Sequence, residues 1–287
     1  MAADISRPTE VAAVSSRMLS LAAGTVLDLG PASAVQTAAQ AGWPAVGIWF
    51  DASTWTSAVA AAVSGRLADT GTLALDIEPM ILGIGWTHAS EMIEAAAAIG
   101  ARHLLVASGP ASRQQVIDEL GAVAAEALQS CPTLTVVLEF LPIFTIATLH
   151  DAAGVIAEVG SANLGVLVDT LHLARSGGHP DDLVDFDQAL FPYLQLADAT
   201  AQLEMDSLRE EALHGRLLPG HGALPLLQTL QRLPDKPVSV ELRSRRLNRD
   251  FPHPLERARH VLHATQQIME QAQTSHDSDR RIATFDD

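Results

Sequence analysis

Four polar side chains stand where apolar stretches run out: Glu139 in VVLEFLP, Asp169 in LGVLVDTLHL, Gln195 in YLQLADA and Glu241 in VSVELRS. Three carboxylates gathered at one point repel strongly, pushing protons on or breaking the fold, and a divalent cation resolves the conflict. A donor set rich in oxygen and free of thiolate suits Mn2+ or Mg2+ first, with Co2+ or Zn2+ as further options. His172, three residues after Asp169, adds an imidazole whose ordinary pKa of about 6.5 fits proton transfer near neutrality. Taken singly, each group reads equally well as a buried polar residue satisfied by a neighbour, and His172 as a rim histidine bonded to a carbonyl. Their occurrence in four successive elements favours a shared site.

Those elements follow from the pattern of the chain. Eight apolar runs read as strands: TVLDLG (25–30), AVGIWFD (45–51), LALDIEPM (73–80), HLLVASG (103–109), LTVVLEFLP (134–142), LGVLVDTLHL (164–173), YLQLADA (193–199) and PVSVELRS (237–244). Between the earlier ones lie Ala-rich stretches of helical period with Ser or Thr near the start and Gly near the end. Regular alternation of strand and helix implies parallel strands joined by right-handed crossovers, and eight units point to a single closed (β/α)8 TIM barrel. An open doubly wound sheet is the runner-up, but LDLGPASA has one glycine where the dinucleotide fingerprint needs three. The expected organisation is an N-terminal extension at 1–17, a catalytic barrel at 18–272 and a mobile or subunit-engaged tail at 273–287. In such barrels the strand C-termini carry the active site.

Eighteen Lys plus Arg against 34 Asp plus Glu give a formal charge of −16, which repels nucleic acid and anionic membranes. A small-molecule substrate is the expected partner, and an anionic one needs dedicated basic groups. The single cysteine, Cys131, excludes an intrachain disulfide. The N-terminus lacks the pattern of a secretory signal, and no apolar run reaches the ~20 residues of a membrane span. A cytoplasmic protein, as a monomer or homo-oligomer, is the expectation.

The order of LEF, VDTLHLARSGG, LQLADA, RLLPGHGALPL and SVELRS resembles the xylose-isomerase-like barrel superfamily, which holds sugar isomerases and epimerases, endonuclease IV-type nucleases and 3-dehydroshikimate dehydratases. The resemblance implies metal ligands on strands five to eight, which fall on Glu139, Asp169, Gln195 and Glu241, and a D-x-x-H histidine at His172. Many epimerases of this superfamily have histidine where this chain has Gln195, whereas some of the dehydratases look similar in having glutamine. Leu141, two residues after Glu139, stands where some of those dehydratases carry histidine. The nuclease branch uses more His and Asp ligands, and the acidic charge argues against DNA.

Around this set, Glu78 at the end of strand three is placed to bond substrate hydroxyls. Arg216 either reaches a substrate oxygen or pairs with the nearby acids of REE. Arg243, which alternates to the same side as Glu241, is a second candidate for a substrate oxygen, and His221 in the tight PGHG loop is a further substrate-binding candidate. Trp49, Trp55 and Trp86 are candidates for an apolar wall. The leading expectation is a metal-dependent isomerase or epimerase of a small hydroxy-carbonyl compound, a keto-sugar or polyol derivative, working through an enediolate, with Glu139 and Glu241 exchanging the proton as the resemblance implies. A dehydratase of the 3-dehydroshikimate type is the alternative, and a non-catalytic binding or structural subunit ranks last.

Overall fold

A computed structural model describes residues 17–84 and 88–283, with side-chain surroundings through residue 274. Eight strands close on themselves in the order β1 to β8, every pair parallel, with β1 bonded to β8. They are β1 (Leu19–Leu21), β2 (Ala45–Trp49), β3 (Leu73–Ile81), β4 (His103–Ala107), β5 (Thr135–Glu139), β6 (Leu164–Asp169), β7 (Leu194–Leu196) and β8 (Val238–Val240). The helices are α1 (Pro31–Ala41), α2 (Ser57–Thr70), α3 (Ala89–Ile99), α4 (Arg113–Ser130), α5 (Leu149–Val159), α6 (Thr170–Arg175), α7 (Leu208–His214), α8 (Leu226–Arg232), α9 (Arg245–Asp250) and α10 (Pro254–Ala283). The expected (β/α)8 barrel is therefore the observed one.

Local chemistry explains the boundaries. Thr56 caps α2, Ser112 caps α4 and Thr148 caps α5 with a reciprocal box to Asp151, each satisfying backbone N–H groups that a first turn leaves unpaired. Two packed regions result. One lies between strands and helices; the other fills the barrel with Ala45, Leu75, Leu105, Val137 and Leu167, one from each of β2 to β6, and Tyr193 just before β7. Strand residues alternate between these layers, so the polar groups that follow the inner set in register project from the top of the same interior.

Two strand expectations change. The first strand is not 25–30: β1 lies earlier, pairing Ser20 with Ala45 and with Ser239, while Ala23–Thr25 form a 3-10 turn. Thr25 instead donates its hydroxyl to the Val240 carbonyl and accepts from the Leu242 N–H, clasping the chain on both sides of Glu241. The sixth strand stops at Asp169 rather than 173, because that side chain accepts from the Leu171 and His172 N–H groups and starts α6. Residues 273–283, within the segment expected to be a mobile or subunit-engaged tail, continue α10; no Gly or Pro interrupts the sequence between 255 and 283. The extension expected at 1–17 lies outside the described residues apart from Arg17, which donates to the Leu230 carbonyl. No helix among the described residues is long and apolar enough to cross a membrane.

Candidate active site

The D-x-x-H spacing is an N-cap. With Asp169 at the cap of α6, its Oδ1 accepts from the N–H of Leu171 at 2.7 Å and of His172 at 3.1 Å. That fixes Asp169 and brings His172 back over the strand ends. One atom each from Glu139, Asp169 and His172 falls within 4.8 Å of the others, all buried.

Arg216 knits the group together. Its Nη1 donates to Asp169 Oδ2 at 2.6 Å, Nη2 pairs with Glu241 Oε2 at 2.9 Å, and Nε donates to the Ala212 carbonyl at 3.1 Å. Of the two roles the sequence allowed, pairing with the REE acids does not occur; Glu211 is taken by Arg175 through two bonds of 2.6 and 2.7 Å. Nη2 also faces His172 Nε2 at 3.4 Å. A guanidinium only donates, so Nε2 is the acceptor there and the ring proton belongs on Nδ1. The same Nε2 is 3.7 Å from Glu139 Oε1.

Burial dominates the ionisation of these groups. It pushes Glu139 well above the usual carboxylate range, reinforced by Asp169 and Glu241 and opposed by Arg216 and Arg243. Glu241 is raised for the same first reason, with Arg216 opposing. Burial would lift Asp169 too, but Arg216, His172 and the backbone N–H bonds bring it below its ordinary value. His172 is pushed down to about 4 by burial. Burial thus favours the neutral imidazole, with Arg216 acting in the same direction and Asp169 against it.

These groups floor a cavity of about 480 Å³. Glu78, Glu139, His172, Gln195, Arg216, Glu241 and Arg243 line it, together with Trp49. Arg243 packs over the Trp49 ring at 5.9 Å from its centroid, within cation–π range. Gly24 makes room for Glu241, whose carboxylate occupies the place a Cβ would take. His221 does not join the group; it is exposed beside a separate cavity with His260 and Phe251. Trp55 packs against Phe50 and the core instead of lining the cavity, and Trp86 lies outside the described residues.

Whether the residues fit a cation is answered by the orphaned polar atoms. Both amide atoms of Gln195 are buried without a hydrogen-bond partner, and so is Glu78 Oε1, although buried polar groups in folded proteins are nearly always bonded. An amide oxygen left free beside a Glu/Asp/His cluster is a donor set suited to a divalent ion, with Arg216 holding two of the carboxylates otherwise.

Sequence reasoning missed Asp198 and Asp76. Asp198 accepts from the N–H of Ala199, Gly220, Gly222 and Leu224 and so pins the PGHG loop; an acid three residues after Gln195, followed by a glycine-rich loop, was the available signal. Asp76 lies inside the barrel beneath Glu78, and nothing in LALDIEPM distinguishes it from an ordinary turnward acid.

A closed parallel barrel with a buried cluster of acids at its strand C-termini is the architecture of (β/α)8 barrel enzymes. Residues 35–268 match the model of the xylose isomerase-like TIM barrel family, and the chain belongs to that family. It is 34% identical over 113 residues to an inosose isomerase of Halalkalibacterium halodurans, a match spanning 37% of this chain and 39% of that one. Among solved structures, a xylose isomerase-like TIM barrel/4-hydroxyphenylpyruvate dioxygenase fusion superposes with a TM-score of 0.78 at 20% identity, covering 92% of this chain and 44% of the fusion. The IolI protein with a bound zinc atom gives 0.75 at 16% identity, covering 89% and 99%. A probable 3-DHS dehydratase, AsbF of Bacillus anthracis, gives 0.69 at 16%, covering 85% and 98%. At these identities the superpositions speak to fold.

Proposed function

We propose that the protein is a divalent-metal-dependent isomerase or epimerase of a small hydroxy-carbonyl compound. The observation that carries the reading is the convergence of Glu139, Asp169 and His172 on one buried point, with Glu241 tied in through Arg216. The inosose isomerase relative and the zinc-bearing IolI neighbour support it. Glu139, Asp169, Gln195 and Glu241 would hold the ion, which when bound supplies electrophilic stabilisation of the charge that develops when a proton leaves carbon.

The chain's own residues do the rest. Glu139 on β5 and the Glu241 that follows β8 stand on separate sides of the cavity floor, so one can take a proton from one face of a substrate and the other return it on the opposite face. Burial that raises both carboxyls makes each a more effective proton acceptor near neutrality. His172, neutral and accepting from Arg216, is suited to orient a substrate hydroxyl. Apolar walls exclude water from the exchange. A dehydratase reading is kept alive by Gln195, the feature shared in kind with some 3-dehydroshikimate dehydratases, and by the AsbF neighbour.

The test is incubation with Mn2+ in D2O, using keto-sugars, inososes and 3-dehydroshikimate. Deuterium entering at the α carbon with the molecular formula otherwise conserved is the expected result; loss of water with a new conjugated chromophore would install the dehydratase instead. His172→Ala should retain metal by elemental analysis while turnover drops by about 10²- to 10⁴-fold. Release of metal by that variant would make His172 a ligand.

A further inference from the structure

The cavity above the carboxylates is two-sided. The end of β3 and the loops following β3, β4 and β5, adjacent strands in the closed order, contribute Ile81, Ile84, Pro110, Leu141, Ile143 and Phe144, so that side of the wall is apolar among the described residues. The opposite arc, after β7 and β8, contributes Arg209 and Arg243. Neither guanidinium forms a salt bridge among the described residues; Arg243 is half-buried against Trp49 and Arg209 is exposed at the rim.

Charge balance decides what these two cations are for. Glu139, Asp169 and Glu241 carry three negative charges when ionised, which a divalent ion and Arg216 cancel. Arg243 and Arg209 are then positive charges in excess, in a chain whose net charge is −16; even an ionised Glu78 would leave one of them uncompensated. A polyhydroxylated neutral ring would find no side-chain partner for the hydroxyls it turns toward that apolar wall, whereas an apolar edge fits it.

We infer that the substrate is an anion, carrying a carboxylate or phosphate that sits between Arg209 and Arg243 beside Trp49, with an apolar edge toward the β3–β5 side. This rests on the reading of the cavity as the place where a hydroxy-carbonyl compound binds, and it narrows that compound to an acid or phosphate ester. Guanidinium donors match the paired oxygens of either group, and the Trp49 face holds Arg243 in place before the anion arrives.

The experiment is calorimetric titration of the Mn2+-reconstituted protein with cyclohexanecarboxylate, inorganic phosphate and cyclohexanol, with bound manganese measured in the same samples. One of the two anions should bind and cyclohexanol should not; which anion binds separates carboxylate from phosphate recognition. Arg243→Gln and Arg209→Gln should each weaken that anion by about tenfold or more, the size expected for losing a charge-assisted bond. Arg209 is exposed, so its variant folds even where loss of the Arg243–Trp49 contact disturbs packing. Equal binding of cyclohexanol, failure of both anions to bind, or an anion affinity unchanged in both variants would overturn the proposal, the last because the anion would then be sitting on the metal. Absence of manganese in the samples, or of deuterium exchange, would count against the catalytic reading while leaving this binding result to stand.

Discussion

Asp198 and Asp76 are buried to the same degree, at 2% and 0% exposure, yet they live in opposite ways. Asp198, just past β7, has both oxygens engaged by four backbone N–H groups and holds the loop from Gly220 to Leu224 against the barrel rim. Gly222 has no Cβ because one would collide with the Asp198 carboxylate and the Ala199 carbonyl. Asp76, on β3, has neither oxygen in a hydrogen bond; the Tyr193 hydroxyl interacts with it without reaching bonding geometry. Burial raises Asp76 to about 7, offset in part by Tyr193 and increased by Glu241. A carboxylate in the rim is a structural tie when the backbone meets it; one left bare inside the barrel keeps its proton and belongs to the polar column under the site, with Ser20, Ser239 and Tyr193.

Removing the satisfied acid should cost most. Asp198→Ala strips four N–H groups of their acceptor at once and should destabilise the protein by about 3–5 kcal/mol, measured by urea denaturation. A loss under about 1 kcal/mol would show that water replaces the carboxylate and that the contrast with Asp76 is only apparent.

Asp76 should reveal itself through pH. Its folded-state pKa is raised, so between about pH 4 and 7 the unfolded chain has given up this proton while the folded chain keeps it. Stability then falls with rising pH across that window, by about 1.4 kcal/mol per unit from this group alone, and levels off above pH 7. Asp76→Asn should flatten that part of the profile and leave the protein at least as stable at pH 7. An unchanged slope would place the proton elsewhere.

What could be read in advance follows the range of the interactions. Six of the eight strands lie within the expected runs, and β3 oversteps its run only by Ile81, because burial on both faces writes a continuous apolar stretch. The first was misplaced because β1 is only three residues long, while the apolar run after it is spent on the clasp around Glu241. Glu139, Asp169, Gln195 and Glu241 could be singled out because barrel geometry gathers consecutive strand ends, and the structure brings Glu139 and Asp169 together with His172. Arg216 was not legible in its actual role: its partner Asp169 is 47 residues away, and the acids beside it in sequence offered a local answer that the fold does not use. His221 was misread for the complementary reason. The glycines around it announce a tight loop, but the loop serves Asp198.

An exposed acid sets the lower end of the scale. Arg113 Nη1 and Glu158 Oε2 approach to 2.6 Å, as short as the buried Arg216–Asp169 contact, but their side chains are 47% and 48% exposed. Distance is the same; surroundings are not. Water screens the pair in both states, and two long side chains lose rotamer freedom to hold it. Glu158→Gln should therefore change the unfolding free energy measured with urea by less than about 1 kcal/mol, with the difference shrinking further when salt is raised, because a surface pair is screened over about 10 Å at 0.1 M ionic strength. If Glu158→Gln destabilised the protein as much as Asp198→Ala, contact distance rather than burial and donor count would rank these acids, and the contrast drawn between Asp198 and Asp76 would lose its physical basis.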